Sequence, residues 1–98
     1  MSRKQKIKID LPSPAKRDLK KNNVKYNKEG IMKKINLLSD NPLLGEKMTS
    51  FKYWRRLKFS VRGVSYRVVY AFYKNELLVK IISIAPKGFA YKKAKRRK

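Results

Sequence analysis

The stretch from Trp54 to Tyr73 constrains the fold more than any other part of the chain. Apolar and polar residues alternate on both sides of Arg62-Gly63, a candidate two-residue β-turn. A hairpin closed at this turn pairs Val61 with Val64, Phe59 with Tyr66, and Leu57 with Val68. Every pair on that face is apolar or aromatic, which favours this register over its neighbours.

The opposite face of the same hairpin carries cations. Arg56, Lys58 and Arg67 fall on it together with Ser60 and Ser65, and Lys58 stands directly opposite Arg67. Like charges that face each other across two strands destabilise a sheet by up to about 1 kcal/mol. Two interpretations therefore remain open. Either this is a solvated face of a basic chain, or it is an anion site in which a bound phosphate relieves the repulsion.

The charge of the whole chain predicts a polyanionic partner. Its 98 residues, enough for one domain, include 28 Lys and Arg against 6 Asp and Glu, a formal net charge of +22. Nucleic acid is the default partner for such a surplus. Residues 1–10 contain no apolar run typical of a signal peptide, and the longest apolar run, residues 77–85, is interrupted by Lys80. We therefore expect a cytoplasmic protein with no membrane partner.

Cysteine and histidine are absent from the chain. Their absence excludes disulfides, thiol nucleophiles, imidazole bases and the usual zinc sites. The carboxylates are scattered, and no two form a local metal-binding or catalytic pair motif. We therefore expect no cofactor, and any catalysis would use Lys, Arg, Tyr, Ser or a single Glu.

The remaining segments predict an α+β domain. The strands expected are Lys6–Leu11, Trp54–Val61, Val64–Tyr73 and Leu77–Ala85, the last of them apolar on both faces as a central strand is. Ser13 is the expected N-cap of a helix that begins at Pro14 and ends near Asn22. A second helix runs from about Asn27 and ends before Asp40-Asn41-Pro42.

The predicted architecture places these two helices on one face of a small, mostly antiparallel four-stranded sheet, in the order β-α-α-β-β-β. Residues 6–91 form the single domain in this prediction. Residues 1–5 are expected to be a flexible basic N-terminus, and residues 92–98 a basic tail with nothing to bury.

Four segments in this order, SDNPLLGEKM, YWRRLKF, YRVVY and IAPKGFAYK, resemble the RelE/ParE superfamily of toxins from type II toxin–antitoxin systems. The resemblance covers about residues 6–91 and implies the fold just described together with an antitoxin partner. The branch similar to RelE cuts messenger RNA on the ribosome. For this chain the resemblance implies a metal-independent endoribonuclease that inhibits translation, with mRNA and ribosomal RNA as partners.

The resemblance also implies site residues. Carried onto this sequence, the catalytic set is Arg56, Lys58, Arg67, Lys87 and Tyr91. Arg67 would clamp the phosphate, and Lys58, crowded by two arginines, would act as a neutral base. Lys87 would steady or protonate the leaving oxygen, and Tyr91 would stack on a base or share in proton transfer. Packing of the C-terminus is the competing interpretation of Tyr91. Further candidate substrate contacts are Arg55, Arg62, Lys92 and Lys93.

Some positions depart from the family pattern. Pro86 stands where the family has a histidine, and the following cation is Lys87 rather than arginine. Glu46 is an alternative base, because the branch resembling YoeB carries a glutamate in the same loop. An ordinary loop carboxylate is the competing interpretation of Glu46.

Three rival functions stay open at this point. The first is a gyrase-poisoning toxin similar to ParE, with the same fold and no RNA chemistry. The second is a non-catalytic RNA-binding or ribosome-binding protein, and the third is an inactive toxin. The retained set of Arg56, Lys58, Arg67, Lys87 and Tyr91 favours the nuclease over the gyrase inhibitor. Simple RNA binding explains the charge and not the alignment of the cations on one face, and the inactive toxin stays open.

Overall fold

In the computed structural model, which describes residues 7–87 and 94–97, five strands form one sheet. They are β1 (Lys8–Asp10), β2 (Glu46–Lys47), β3 (Trp54–Val61), β4 (Val64–Tyr73) and β5 (Leu78–Pro86). The helices are α1 (Ser13–Asp18) and α2 (Lys28–Asn36), with 3₁₀ turns at Lys25–Asn27, Leu37–Ser39 and Lys74–Glu76. The predicted flexible N-terminus, residues 1–5, lies outside the described residues.

The predicted hairpin register is confirmed. β3 pairs with β4 in the expected alignment, which sets Phe59 against Tyr66 and Lys58 against Arg67. Both turn residues have positive φ, 50° at Arg62 and 81° at Gly63, as a two-residue type I′ turn requires. Glycine adopts this conformation freely, but at Arg62 it costs about 1 kcal/mol.

The strand order in the sheet is β1-β5-β4-β3-β2. β1 runs parallel to β5 and the other neighbouring strands are antiparallel, so the α+β class and the central position of β5 are confirmed. The predicted count of four strands is wrong, because Glu46-Lys47 pairs with β3. Two residues are too short for any alternation, so the sequence alone carries no signal for this strand.

The two helices cover one face of the sheet, as predicted. Ile31 and Ile35 of α2 and Ala15 of α1 are fully buried against the inward residues of β3, β4 and β5. Those inward residues are Leu57, Tyr66, Val68, Tyr70, Val79, Ile81 and Ile84. This cluster is the main core of the domain. No helix in the part of the chain that the structure describes is long and apolar enough to cross a membrane.

The bounds of α1 differ from the prediction at both ends. Ser13 lies inside the helix, and Pro12 takes the N-cap position without a side-chain hydrogen bond. The helix ends at Asp18 and not near Asn22, and the chain continues in turns toward Lys25. Asp18 is completely buried at this helix end, which an isolated acidic residue in the sequence does not suggest.

A second, smaller apolar cluster lies on the other face of the sheet. Trp54 stacks on Phe51 with ring centroids 4.2 Å apart, and Val69 and Ala71 pack with them. Ala94 is fully buried in the same cluster. The prediction that the tail has nothing to bury is therefore wrong for this part of it, because a single small side chain completes a cluster formed by distant strands.

Candidate functional site

The cations predicted on one face of the hairpin lie there. Arg56 and Lys58 belong to β3 and Arg67 to β4, and Lys58 and Arg67 are direct cross-strand partners. Their side chains extend from the face that carries the Trp54 cluster, at the end nearer the hairpin turn. Arg67 donates one hydrogen bond to the carbonyl oxygen of Tyr66 at 3.1 Å.

Lys87 joins this face through the pairing of β4 with β5. Arg67 is paired with Ala85, and the amide of Lys87 donates a hydrogen bond to the carbonyl oxygen of Ser65 at 3.0 Å. Because residues two apart on a strand share a face, Ser65 and Lys87 lie on the side of Arg67. Lys87 is exposed at the end of β5.

Glu46 lies between two of the cations. Its Oε1 is 2.9 Å from the Nζ of Lys58, and its Oε2 is 3.0 Å from Nη2 and 3.1 Å from Nε of Arg56. The contact follows from the register, since Glu46 of β2 is the cross-strand partner of Arg56. Glu46 is therefore a strand residue bound to the predicted site, and not an isolated loop carboxylate.

The two cations change the acidity of Glu46. The hydrogen bond from Lys58, and then that from Arg56, lower the pKa of the Glu46 carboxyl below its usual value of 4.5. The carboxylate is ionised at neutral pH and offsets the like-charge crowding around Lys58. That crowding was the reason for expecting Lys58 to act as a neutral base, so this reason is weakened.

Tyr70 of β4 holds the loop that precedes Glu46. The Tyr70 hydroxyl accepts a hydrogen bond from the Gly45 amide at 2.9 Å and donates one to the Pro42 carbonyl at 2.7 Å. Burial raises the pKa of the Tyr70 hydroxyl, which therefore stays protonated and able to donate. A Cβ on Gly45 would lie 2.6 Å from the Arg56 carbonyl oxygen, so only glycine fits. These contacts position Glu46 at the edge of β3.

A groove of about 340 Å³ opens at this edge. Glu46, Arg56 and Lys58 line it on one side, with Lys34 and Leu37 from the end of the helical layer opposite. β2 pairs only with Arg55 and Arg56, so no strand covers the edge of β3 from Leu57 onward within the described residues. An extended polyanion has access to the cations along this edge.

Two of the other predicted contacts, Arg55 and Arg62, lie away from this face. Arg55 is on the helix-covered face, where its Nε donates to the Gly45 carbonyl at 2.8 Å and its Nη2 to the Leu43 carbonyl at 3.3 Å. Arg62 is at the tip of the hairpin. Tyr91, Lys92 and Lys93 lie outside the described residues. The structure thus brings together Arg56, Lys58, Arg67 and Lys87, adds Glu46, and separates Arg55 and Arg62 from them.

Comparison with known proteins places the chain in a family. The model of the ParE toxin of type II toxin–antitoxin systems, parDE, matches residues 9–91. The chain belongs to this toxin family. A search of curated proteins found no match for the toxin.

Solved structures of E. coli RelE share the fold of this ParE-family toxin. A mutant of RelE in the free state is 21% identical, with a TM-score of 0.74 over 94% of this chain and 97% of that one. The isolated RelE toxin matches with a TM-score of 0.67 at 21% identity, over 93% of this chain and 97% of that one. A chain of the intact E. coli RelBE toxin–antitoxin complex matches with a TM-score of 0.65 at 21% identity, over 81% of this chain and 94% of that one. The toxin is thus a member of the RelE/ParE superfamily, with the fold of RelE.

Proposed function

We propose that this toxin is a ribosome-dependent endoribonuclease that cleaves mRNA and so inhibits translation. The observation that carries the proposal is the convergence of Arg56, Lys58, Arg67 and Lys87 on one sheet face beside an open strand edge. A gyrase inhibitor of the same fold cuts no RNA, so its activity would not require these cations to be arranged around one scissile phosphate.

Substrate binding would begin with an exchange of anions. Glu46 neutralises Arg56 and Lys58 in the free protein through contacts of 2.9 to 3.1 Å. The scissile phosphate would replace the Glu46 carboxylate against Arg56 and Lys58. It would also gain a bidentate contact from Arg67. The side chains of Arg56 and Lys58 are 36% and 43% exposed, so the exchange needs no opening of the core.

The chemistry would be attack by a ribose 2′-oxygen on the adjacent phosphorus. As the new P–O2′ bond forms, the 2′ proton passes to a base, for which the neutral amine of a deprotonated Lys58 and the released Glu46 carboxylate are the two candidates. The P–O5′ bond breaks, and Lys87 donates a proton to the 5′-oxygen. The products are a 2′,3′-cyclic phosphate and a 5′-hydroxyl end. Arg56 and Arg67 stabilise the charge that develops on the phosphorane, and Tyr91 would stack on a neighbouring base.

The partners in this proposal are mRNA, ribosomal RNA and a cognate antitoxin. The net charge of +22 suits the phosphates of a ribosome. E. coli RelE, which shares the fold, has been solved in an intact toxin–antitoxin complex. We infer that an antitoxin here would cover the basic face and compete with RNA for Arg56, Lys58 and Arg67. Lys92 and Lys93 remain candidate substrate contacts.

Inhibition of DNA gyrase is the second candidate function. The family model that matches residues 9–91 is that of the ParE toxin. Gyrase poisoning is the function that a resemblance to ParE would imply. In this alternative the cations of the sheet face would contact DNA or gyrase without cleaving RNA.

Induced expression in bacteria separates the two candidates. The nuclease should stop incorporation of labelled methionine within minutes and leave mRNA cut inside ribosomes, with 5′-hydroxyl ends at the cuts. Arg67→Ala should lower cleavage by about 100-fold or more, the effect of losing one preorganised donor, and Arg67→Ala with Tyr91→Phe should restore growth. Lys20→Ala, which removes an exposed cation beyond α1, is the matched control and should leave cleavage unchanged.

Two other results of the same experiment would contradict the nuclease. Continued translation with accumulating DNA breaks would favour gyrase as the target. A wild-type protein that sediments with ribosomes without cutting mRNA or slowing growth would be an RNA-binding protein instead.

A further inference from the structure

A second basic groove lies near the tip of the β3–β4 hairpin, on the face of the sheet covered by α2. It has a volume of about 300 Å³ and lies between the hairpin turn and the start of α2. Its charged lining residues are Lys25, Lys28, Lys33, Arg62 and Glu29. Four cations against one carboxylate make the groove attractive to an anion. It is separate from the Arg56–Lys58–Arg67 face, which is on the other side of the sheet.

Tyr26 supplies an aromatic surface in this groove. Its side chain is 78% exposed, and the Nζ of Lys25 lies 5.3 Å from the ring centroid. The chain offers a natural comparison in Lys52-Tyr53, where Nζ lies 5.4 Å from the ring. The ring of Tyr53, however, packs against that of Tyr73 at 5.5 Å. Exposed aromatic rings among cations are the surfaces on which single-stranded nucleic acids stack their bases.

Arg62 adds an observation independent of charge. It adopts a φ of 50°, a conformation for which two-residue turns favour asparagine or glycine. A residue held in an unfavourable conformation is a pointer to function when its side chain lines a site. At this position the side chain of Arg62 places a cation at the groove, which asparagine or glycine would not do.

The walls of the groove are fixed by packing. A Cβ on Gly30 would lie 2.6 Å from Cγ1 of Val61, so α2 approaches the end of β3 as closely as a glycine permits. The Nδ2 of Asn27 donates to the Tyr66 hydroxyl at 2.8 Å, and that hydroxyl donates to the Asn23 carbonyl at 3.3 Å. The segment that carries Tyr26 is therefore tied to the sheet, and a ligand would meet a preformed surface.

We propose that this groove is a second nucleic-acid site, which stacks an unpaired RNA base on Tyr26 and holds the flanking phosphates with Lys28, Lys33 and Arg62. The inference rests on the proposed function only in the choice of RNA over DNA. A site on this face holds RNA while the Arg56–Lys58–Arg67 face stays free for the scissile phosphate.

Binding of the full-length protein to a single-stranded 2′-O-methyl RNA tests the site without cleavage, because this RNA has no 2′-hydroxyl. Tyr26→Ala should weaken binding by about 5- to 100-fold, the effect of losing one stacked base. Tyr26→Phe should bind as the wild type does, and Tyr53→Ala, the matched control, should cause no loss. Unchanged binding by Tyr26→Ala, or equal losses from both alanine variants, would overturn the proposal.

Arg62→Asn separates binding from folding. Asparagine suits the positive φ better than arginine, so the melting temperature should stay the same or rise. RNA binding should weaken nevertheless, and the slope of log affinity against log salt should become shallower by about 0.7, the value for one phosphate contact. A variant that binds RNA with the wild-type affinity and slope would remove Arg62 from the site.

Photocrosslinking with RNA that carries 5-iodouracil locates the base. Crosslinks to the peptide that contains Tyr26 support the site, and crosslinks confined to the strand residues around Arg56, Lys58 and Arg67 contradict it. If Tyr26→Ala weakened binding of duplex DNA as much as that of single-stranded RNA, base stacking would be wrong. Failure of mRNA cleavage on ribosomes would contradict the proposed nuclease and would leave these binding results unaffected.

Discussion

The hydroxyl of Tyr70 accepts a hydrogen bond from the amide of Gly45 at 2.9 Å, which ties the centre of the sheet to the loop before β2. The same hydroxyl donates to the Pro42 carbonyl, and Arg55 holds the Gly45 carbonyl from the side. Glu46, the next residue, is thereby placed beside Arg56. In the described part of the chain, Glu46 is the only carboxylate seen to contact the cationic face. Its position thus depends on Tyr70, a buried residue outside that face.

Tyr70→Phe should therefore destabilise the protein by about 1–3 kcal/mol, because the Gly45 amide and the Pro42 carbonyl lose their partner in a buried place. Urea unfolding measures this loss. Tyr26→Phe, which removes the hydroxyl of an exposed tyrosine, is the control and should unfold as the wild type does. Equal stability of Tyr70→Phe and the wild type would show that the loop does not depend on this hydroxyl.

Glu46→Gln should strengthen binding of uncleavable RNA. The change removes the charge that neutralises Arg56 and Lys58, and we expect a gain in RNA affinity of up to about tenfold. Glu76→Gln, which removes an exposed carboxylate in the 3₁₀ turn between β4 and β5, controls for the change in net charge. Weaker binding by Glu46→Gln would mean that the carboxylate positions the two cations for RNA and does not compete with it.

The lowered pKa of Glu46 predicts a specific dependence of stability on pH. Because the folded-state pKa is below the usual 4.5, the ionised carboxylate stabilises the fold. This contribution is fully present above pH 4.5 and is lost as the pH falls through the folded-state value. The urea midpoint of the wild type should fall relative to that of Glu46→Gln over this acid range. Parallel curves for the two proteins would show that the ion pairs do not contribute to stability.

The buried Asp18 should depend on Arg97. Asp18 accepts from the Ile84 amide at 3.0 Å and forms an ion pair with Arg97, whose Nη1 and Nη2 lie 2.8 and 3.0 Å from its carboxylate oxygens. Arg97→Ala leaves a buried charge without this partner and should cost about 2–4 kcal/mol.

Urea unfolding of Arg97→Ala, Asp18→Asn and the double variant gives the coupling between the two residues. We expect coupling of about 1–3 kcal/mol, because asparagine no longer needs the guanidinium. Arg96→Ala, which removes the exposed neighbouring cation, is the control. Additive effects of the two single changes would show that the ion pair does not attach the C-terminal segment.

The sequence predicted best where the determining residues are neighbours along the chain. The hairpin from Trp54 to Tyr73 was predicted with its bounds, turn and register, because the period of two and the turn residues are local signals. The placement of Arg56, Lys58 and Arg67 on one face follows from the same period. The end of α1 was misplaced, and Asp18 at that end is buried through contacts with β5 and Arg97, which are far away in sequence and leave no local signal.

Sequence alone thus determined the basic sheet face, the α+β order of elements and the resemblance to the toxin superfamily. Only the tertiary structure decided that Glu46 neutralises Arg56 and Lys58, that Arg55 holds a loop on the opposite face, and that Asp18 is buried. The physical reason is that strand periodicity specifies which face a side chain occupies. Which distant residue meets it there depends on the path of a loop, and that path depends on packing around Tyr70 and Gly45.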